Sequence, residues 1–371
     1  MRINCGIVAS AMEEFAPVRL REDWDNVGLL VGRPDSVVEK ILLTLDVTPA
    51  VIEEAVESGA DLIVAHHPFP FKLGKTIRTD RTEGAMLSAL LKNDISVYVA
   101  HTNLDSAMGG VNDALAEMLG LRDVLPLRAS ENRLAKIVVF VPQGHEETVW
   151  QAMVEAGAGH VGKYSHCGFR VAGIGTFLPG AGAKPFIGEA NRLEEVNETR
   201  LETVAPDFMV KGIVSALLAA HPYEEVAYDV YNLDNIRHEG GLGRIGHLQQ
   251  PLPLRDFAAH VKSVLQVDGL RFAGNDSAII TSVAVCGGSG MELAGCARSF
   301  GANVLVTGDI RYHEAQDAVG QGLCLVDAGH FATEFPVLKR IQNWLRGQSA
   351  SAKWDCEIDI AVHQEDIWRA F

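Results

Sequence analysis

At 371 residues, with 47% hydrophobic and 22% charged side chains, the chain has material for two or three domains with buried cores. Its formal charge of −16 disfavours a broad nucleic-acid footprint, which needs clustered Lys and Arg against phosphate. No apolar run approaches the roughly 20 residues of a membrane-spanning helix, and the six scattered cysteines form no C-x-x-C pair, which argues against a disulfide framework or a thiolate zinc site.

The opening "MRINCGIVASAMEEFAP" reaches Glu13 and Glu14 before any sustained apolar core, so it does not read as a signal peptide and the expected location is cytoplasmic. "KILLTLDVT" predicts a strand running to Asp46, and "PAVIEEAVESGA" a helix opened by Pro49 and stopped near Gly59. "DLIVA" and "SVYVA" predict strands on either side of the helix "TEGAMLSALLKNDI". Strands alternating with helices argue for a parallel sheet covered on both faces.

From about Lys136 the order changes to strand "KIVVFVP", helix "EETVWQAMVEAG", strand "SHCGFRVAGIGTFLP", strand "NETRLETVAP", helix "DFMVKGIVSALLAA" and strand "VAYDVYNL". That is βαββαβ, the ferredoxin-like order. The expected organisation is therefore a core α/β domain over 1–127 and 236–371, with a ferredoxin-like α+β domain inserted over 128–235. The last block returns to alternation with "SAIITSVAVCGGSG", "MELAGCARSFGA", "NVLVTGD" and "GLCLVDAGHFATEF". Gly59 to Val64 aligns with Gly301 to Val306, which suggests two pseudo-repeated α/β halves.

In open α/β sheets ligands sit beyond the carboxyl ends of the strands. Here those ends deliver His66 and His67, His101 with Asn103 and Asp105, Asp309 with His313, and Asp327 with His330 and Glu334. Pro68 keeps His67 extended, so the two adjacent imidazoles can splay about a turn and serve two different ions. Every donor is N or O, which suits Zn, Fe, Mn or Co. His330 and Glu334 share a helix face at i, i+4, although Pro336 leaves two options: a helix starting near Thr333 with His330 in the preceding loop, or one that starts earlier and kinks. Either places the pair near a helix N-terminus that favours an ionised carboxylate or a phosphate. Asp46 and Asp309 are candidates to orient ligand imidazoles, and His101, His313 and Asp309 are the catalytic candidates. "GGLGRIG" carries G-x-G-x-x-G but lacks the strand–helix context of a dinucleotide fingerprint, so it reads as a structural turn or strand. "CGGSG" lacks the last glycine of a nucleophile elbow and is held as a minor phosphate-cradle hypothesis. His221, Tyr223 and Glu224 in the insert are candidates to approach the core site of a symmetry mate.

The motifs "WDNVGLLVG", "AHHPF", "AHTNLD", "GLGRIG", "TGDIRYH" and "DAGHFATE" resemble those of the NIF-three-like proteins, often labelled GTP cyclohydrolase I type 2 homologues. "GHVGKYSHC" and "HPYEEVAYDVY" resemble the CutA/PII-like insert of the longer bacterial members. The resemblance implies a dinuclear centre with His66, His67, Asp105, His330 and Glu334 as ligands and Glu334 bridging two divalent ions per subunit. It implies a toroidal homohexamer, a trimer of dimers. The functional expectation is a metal-dependent hydrolase acting on a nucleotide or other phosphorylated small molecule, GTP ring opening being the narrower version. The alternative is a metal-binding regulatory or scaffold protein whose insert senses a ligand or partner. Neither nucleic acid nor membrane is an expected partner.

Overall fold

The computed structural model describes residues 1–70 and 76–369. The chain divides into two compact units, one of Met1–Ser130 with Glu239–Phe371, the other of Glu131–His238.

The first unit is mixed α/β. One sheet has the strand order Glu357–Ile360, Lys40–Thr44, Leu62–Ala65, Ser96–Val99, Gly28–Val31. The first four run parallel, and Gly28–Val31 closes the edge antiparallel to Ser96–Val99. All four residues of Leu62–Ala65 are buried. That is why this strand reads as continuously apolar: helices cover both faces, so no position alternates out to water. Cys5–Phe15 and Pro336–Ala352 pack on one side, and Pro49–Ser58 and Thr82–Lys92 on the other. Pro49–Ser58 shows the local code plainly. The Thr48 side chain accepts from Val51 N, Pro49 opens the first turn, and Gly59 closes the helix at φ 69°.

A second set of strands in this unit has the order Arg271–Ala273, Cys324–Asp327, Val304–Gly308, Ile279–Ser289 and then Tyr228–Pro253. The three central strands are parallel, and the two flanking ones antiparallel. The helix Val111–Met118 contributes to both cores: Val111 and Ala114 to the first, Leu115 and Ala116 to the second. The two strand systems of this unit are thereby tied through one amphipathic helix.

The second unit contains, in chain order, the end of the strand Arg122–Pro142, the helix Glu146–Glu155, the strands Gly168–Phe177 and Glu194–Pro206, the helix Val210–Ala220, and the start of Tyr228–Pro253. The strand order is fourth, first, third, second, and both helices bury Val149, Met153, Ile213 and Leu217 against Ile137, Val139, Val141 and Leu201. Two expectations are sharpened. "YDVYNL" and "GLGRIG" belong to one 26-residue strand, Tyr228–Pro253, so the glycine motif is strand and not a nucleotide turn. No described helix is long and apolar enough to cross a membrane.

Candidate metal centre

The strand Leu62–Ala65 ends in His66 and His67, whose backbone N–H groups still donate to Thr44 O and Leu45 O at 3.1 and 2.8 Å. The chain thus stays extended for one more residue, and the two rings diverge, with centroids 4.9 Å apart and planes at 44°. Each imidazole is fixed by its other nitrogen. His66 Nδ1 lies 2.8 Å from Ala100 O and His67 Nδ1 2.8 Å from Asp46 Oδ1. A carbonyl or carboxylate oxygen only accepts, so Nδ1 carries the proton and Nε2 is turned to the site. His330 repeats the device, with Nδ1 2.7 Å from Asp309 Oδ2.

Glu334 stands at the convergence. Its side chain is 4% exposed, with Oε1 3.2 Å from His330 Nε2 and 3.7 Å from His66 Nε2, and Oε2 3.0 Å from His67 Nε2. Asp105, on the short helix Thr102–Ser106, places Oδ1 3.6 Å from His66 Nε2. The donors fall into overlapping groups: His67, His330 and Glu334; His66, Asp105 and Glu334; and His66, His67 and His101. Only five buried side-chain N or O atoms among the described residues lack a hydrogen-bond partner, and four of them are here: His66 Nε2, His67 Nε2, Asp105 Oδ1 and Glu334 Oε2. The 3.0 Å His67–Glu334 approach is an ion-pair contact without hydrogen-bond alignment. Each such atom costs about 1–3 kcal/mol when left unpaired, so a cluster of four marks a candidate cation site.

The proton distribution follows from this crowding. Burial pushes Asp105 up to about 7, with His66 opposing and Glu334 adding to the rise. Burial also opposes charge on Glu334, but the surrounding imidazoles hold it well below the usual carboxylate range. Burial opposes a charged His67, yet Asp46 and Glu334 raise it to about 10. Glu334 raises His330 to about 9, burial opposing and Asp309 assisting.

The helix reading resolves in favour of the second option. His330–Glu334 is helical, Phe335 keeps helical angles, and Pro336 opens Pro336–Ala352 where no N–H is needed. Glu334 therefore ends a five-residue helix instead of starting a long one, and the N-terminus of the long helix, capped by Phe335 and opened by Pro336, follows it directly.

The "CGGSG" segment, which ends the strand Ile279–Ser289, does lie against the site, but not as a phosphate cradle. Gly287 N donates to Asn112 Oδ1, Gly288 N to Thr333 Oγ1 and Gly290 N to Thr307 Oγ1, so three of its donors are already engaged. Asn112 also donates to Asp105 O at 2.9 Å, joining this strand end to the Asp105 segment. A Cβ on Gly288 would stand 2.3 Å from Glu334 Oε1 and 3.0 Å from His330 Nε2, at φ +62°. Gly288→Ala is expected to lower stability by about 1–3 kcal/mol and to reduce bound metal together. Thermal melts paired with elemental analysis check this.

Among the catalytic candidates, His101 joins the rim, its ring centroid 5.2 Å from that of His66. Asp309 serves His330, and His313 is exposed against Tyr312, outside the grouped donors. Sequence reasoning missed Asp25. This buried carboxylate accepts from Thr102 N at 3.0 Å and Thr102 Oγ1 at 2.5 Å, and holds His101 Nδ1 at 2.9 Å. Burial opposes its charge, but those bonds hold its pKa far below the carboxylate norm. Its signal lay inside "WDNVGLLVG", a polar Asp ahead of an apolar strand. Beside it Trp24 is 61% exposed and edge-on to His101 at 6.0 Å. In the second unit, His221 Nε2 donates to Phe140 O at 2.9 Å and its Nδ1 accepts from Tyr223 N.

The profile of Duf34/NIF3 (NGG1p interacting factor 3) matches residues 3–366. A Bacillus subtilis protein named GTP cyclohydrolase 1 type 2 homolog is 46% identical over 331 residues, 89% of each chain. A Mycobacterium leprae protein of the same name is 39% identical over 366 residues, 97% of this chain and 94% of that one. The crystal structure of a Bacillus cereus protein related to NIF3 superposes with a TM-score of 0.85 at 42% identity, covering 99% of both chains.

Proposed function

The chain belongs to the Duf34/NIF3 family, and we propose that its buried cage holds two divalent ions and makes the protein a metal-dependent hydrolase of a nucleotide or other phosphorylated small molecule. The observation that carries this reading is the clustering of orphaned Nε2 and carboxylate atoms around Glu334. His67 and His330 would hold one ion, His66 and Asp105 the other, with Glu334 shared. When bound, such a pair supplies Lewis acidity and an activated water at neutral pH.

The chain's own residues divide the remaining work. Asp46, Ala100 O and Asp309 fix the three imidazoles in the tautomer that presents Nε2. Asp25 fixes His101 with its other nitrogen free to hold or pass a proton at the rim. A groove of about 1630 Å³ borders Asp309 and His330 and is large enough for a nucleotide. GTP ring opening is the narrower version, supported by the name its relatives carry.

Further parts of the reading concern organisation. We read 128–235 as an inserted ferredoxin-like, CutA/PII-like domain, supported by the βαββαβ order and the fourth–first–third–second strand arrangement. We read the core as two pseudo-repeated halves, the assembly as a toroidal hexamer in the cytoplasm, and the ions as Zn, Fe, Mn or Co. The second reading, a metal-binding regulator acting through the insert, is favoured by the ligand-sized cavity in that unit.

The test is elemental analysis of anaerobically purified protein, with the reconstituted protein run on a nucleotide and phosphoester panel. About two ions per chain and turnover abolished by Glu334→Ala are expected; full loading without turnover favours the regulator. Loading should also release protons. His67 and His330, raised to about 10 and about 9, are protonated in the ion-free protein at pH 7.5, so binding displaces about two protons per chain. Raised folded pKa values stabilise the ion-free protein fully below the unfolded histidine value, and that contribution is lost as pH rises through 9 to 10. Ion affinity therefore rises with pH over the same range, and titration calorimetry in buffers of different ionisation enthalpy measures the release.

A further inference from the structure

The second unit contains a cavity of about 690 Å³, within the size range of small-molecule sites. Phe140, Glu198 and Arg200 line it, and they alternate along their strands with Val139, Val141 and Leu201, which pack beneath the helices. The cavity therefore opens on the opposite face of the sheet. Its floor is the Gly173 to Gly175 stretch of the strand Gly168–Phe177. A Cβ on Gly175 would fall 2.1 Å from Glu198 Oε2, so glycine there is what lets the carboxylate lie across the strand.

Aromatic rings form the wall. Tyr223 stands 6.2 Å from both Phe177 and Phe186, centroid to centroid, and donates its hydroxyl to Glu198 Oε1 at 2.9 Å. Glu198 Oε2 accepts no hydrogen bond from any described residue. Glu224 and Glu225 also line the space, whereas its single guanidinium, Arg200, is already paired with Glu202 at 3.2 Å. Carboxylates beside ring faces repel anions and favour cations. An apolar side chain from a second copy would fill the space but leave the Glu198 charge desolvated without a counter-charge, which is costly.

We propose that this cavity binds an organic cation, an amine or quaternary ammonium on an apolar body, seated between Glu198 and the rings of Phe177, Phe186 and Tyr223. The proposal gives a ligand class to the regulatory reading of this unit. Its physical basis is independent of the metal centre, because every lining residue belongs to the second unit.

The test is calorimetric titration of the full chain with benzyltrimethylammonium, with benzyl alcohol and phenylacetate as neutral and anionic controls. Saturable binding of the cation alone is expected, weakened about tenfold in Glu198→Gln and in Phe186→Ala. Glu198→Gln keeps the Tyr223 bond, so a folding defect is not expected, and its metal content should equal wild type; this separates failure here from failure of the metal reading. Equal binding of benzyl alcohol, unchanged affinity in Glu198→Gln, or no heat at millimolar cation overturns the proposal. So does a mass by light scattering that falls in Phe186→Ala while the cation does not bind, which would assign the face to a second copy.

Discussion

Glu334→Ala is expected to reduce bound metal from about two ions per chain to well under one, the largest functional effect of any single substitution in the cage. The carboxylate approaches three imidazoles, at 3.0, 3.2 and 3.7 Å, and no other residue belongs to both Glu334-centred donor groups. Removing it takes away the shared ligand and the negative charge that offsets two cations. The ion-free variant should nonetheless fold. Without Glu334 the largest influence raising His330 is gone, so that imidazole can neutralise rather than remain a buried, unpaired cation. Thermal melts with and without added zinc separate the effects. Wild type at a hundredfold excess over Kd should gain about 2.7 kcal/mol, and the variant almost nothing. Asp309→Asn supplies the graded comparison: it only orients His330, so affinity should drop by roughly 10–100-fold without loss of the site. Equal losses in the two variants would mean that Glu334 is a structural carboxylate.

The cage was legible because its members sit at strand ends, where an α/β sheet concentrates ligands. Periodicity gave the strands, and His66, His67, Asp105, His330 and Glu334 stood beyond their last apolar residues. What local pattern could not carry was long-range pairing. Asp25 lies 76 residues from His101, and the Asn112–Gly287 bond spans 175. No short-range period reports either one. Gly288 illustrates the same limit from the other side. Its glycine was visible, but the reason for it, room for Glu334 and His330, exists only once the strand end and helix have met. The length of Tyr228–Pro253 was also obscured, since Gly240, Gly241 and Gly243 left turn and strand both open and prove to be strand positions closely approached by neighbouring backbone or side chains.

Arg244→Met should be the most destabilising substitution away from the cage. Arg244 is fully buried, and its guanidinium makes five short bonds: Nε to Asp113 Oδ1 at 2.9 Å, Nη1 to Gly241 O and Gly243 O at 2.6 and 2.8 Å, and Nη2 to Ala107 O and Asp113 Oδ2 at 2.9 and 2.7 Å. Methionine fills comparable space but leaves the Asp113 carboxylate and three carbonyls without this donor. Breaking a buried pair by removing one partner costs about 3–5 kcal/mol, a fall in melting temperature on the order of 10 °C for a unit of this size. The bonded groups explain why the loss reaches the site. Ala107 follows the helix that carries Asp105, Asp113 lies in the first turn of the helix that carries Asn112, and Gly241 and Gly243 belong to the strand opposite. Arg244 therefore clamps the Asp105 segment against the second strand system. Metal affinity should weaken along with stability, and added zinc should recover part of the lost melting temperature. A companion Asp113→Asn variant keeps one of the two carboxylate acceptors that meet the guanidinium and leaves its three carbonyl bonds intact, and should cost less. If Arg244→Met melts like wild type, the buried pair contributes no net stability, and the glycine-rich motif around it needs another reason for its sequence.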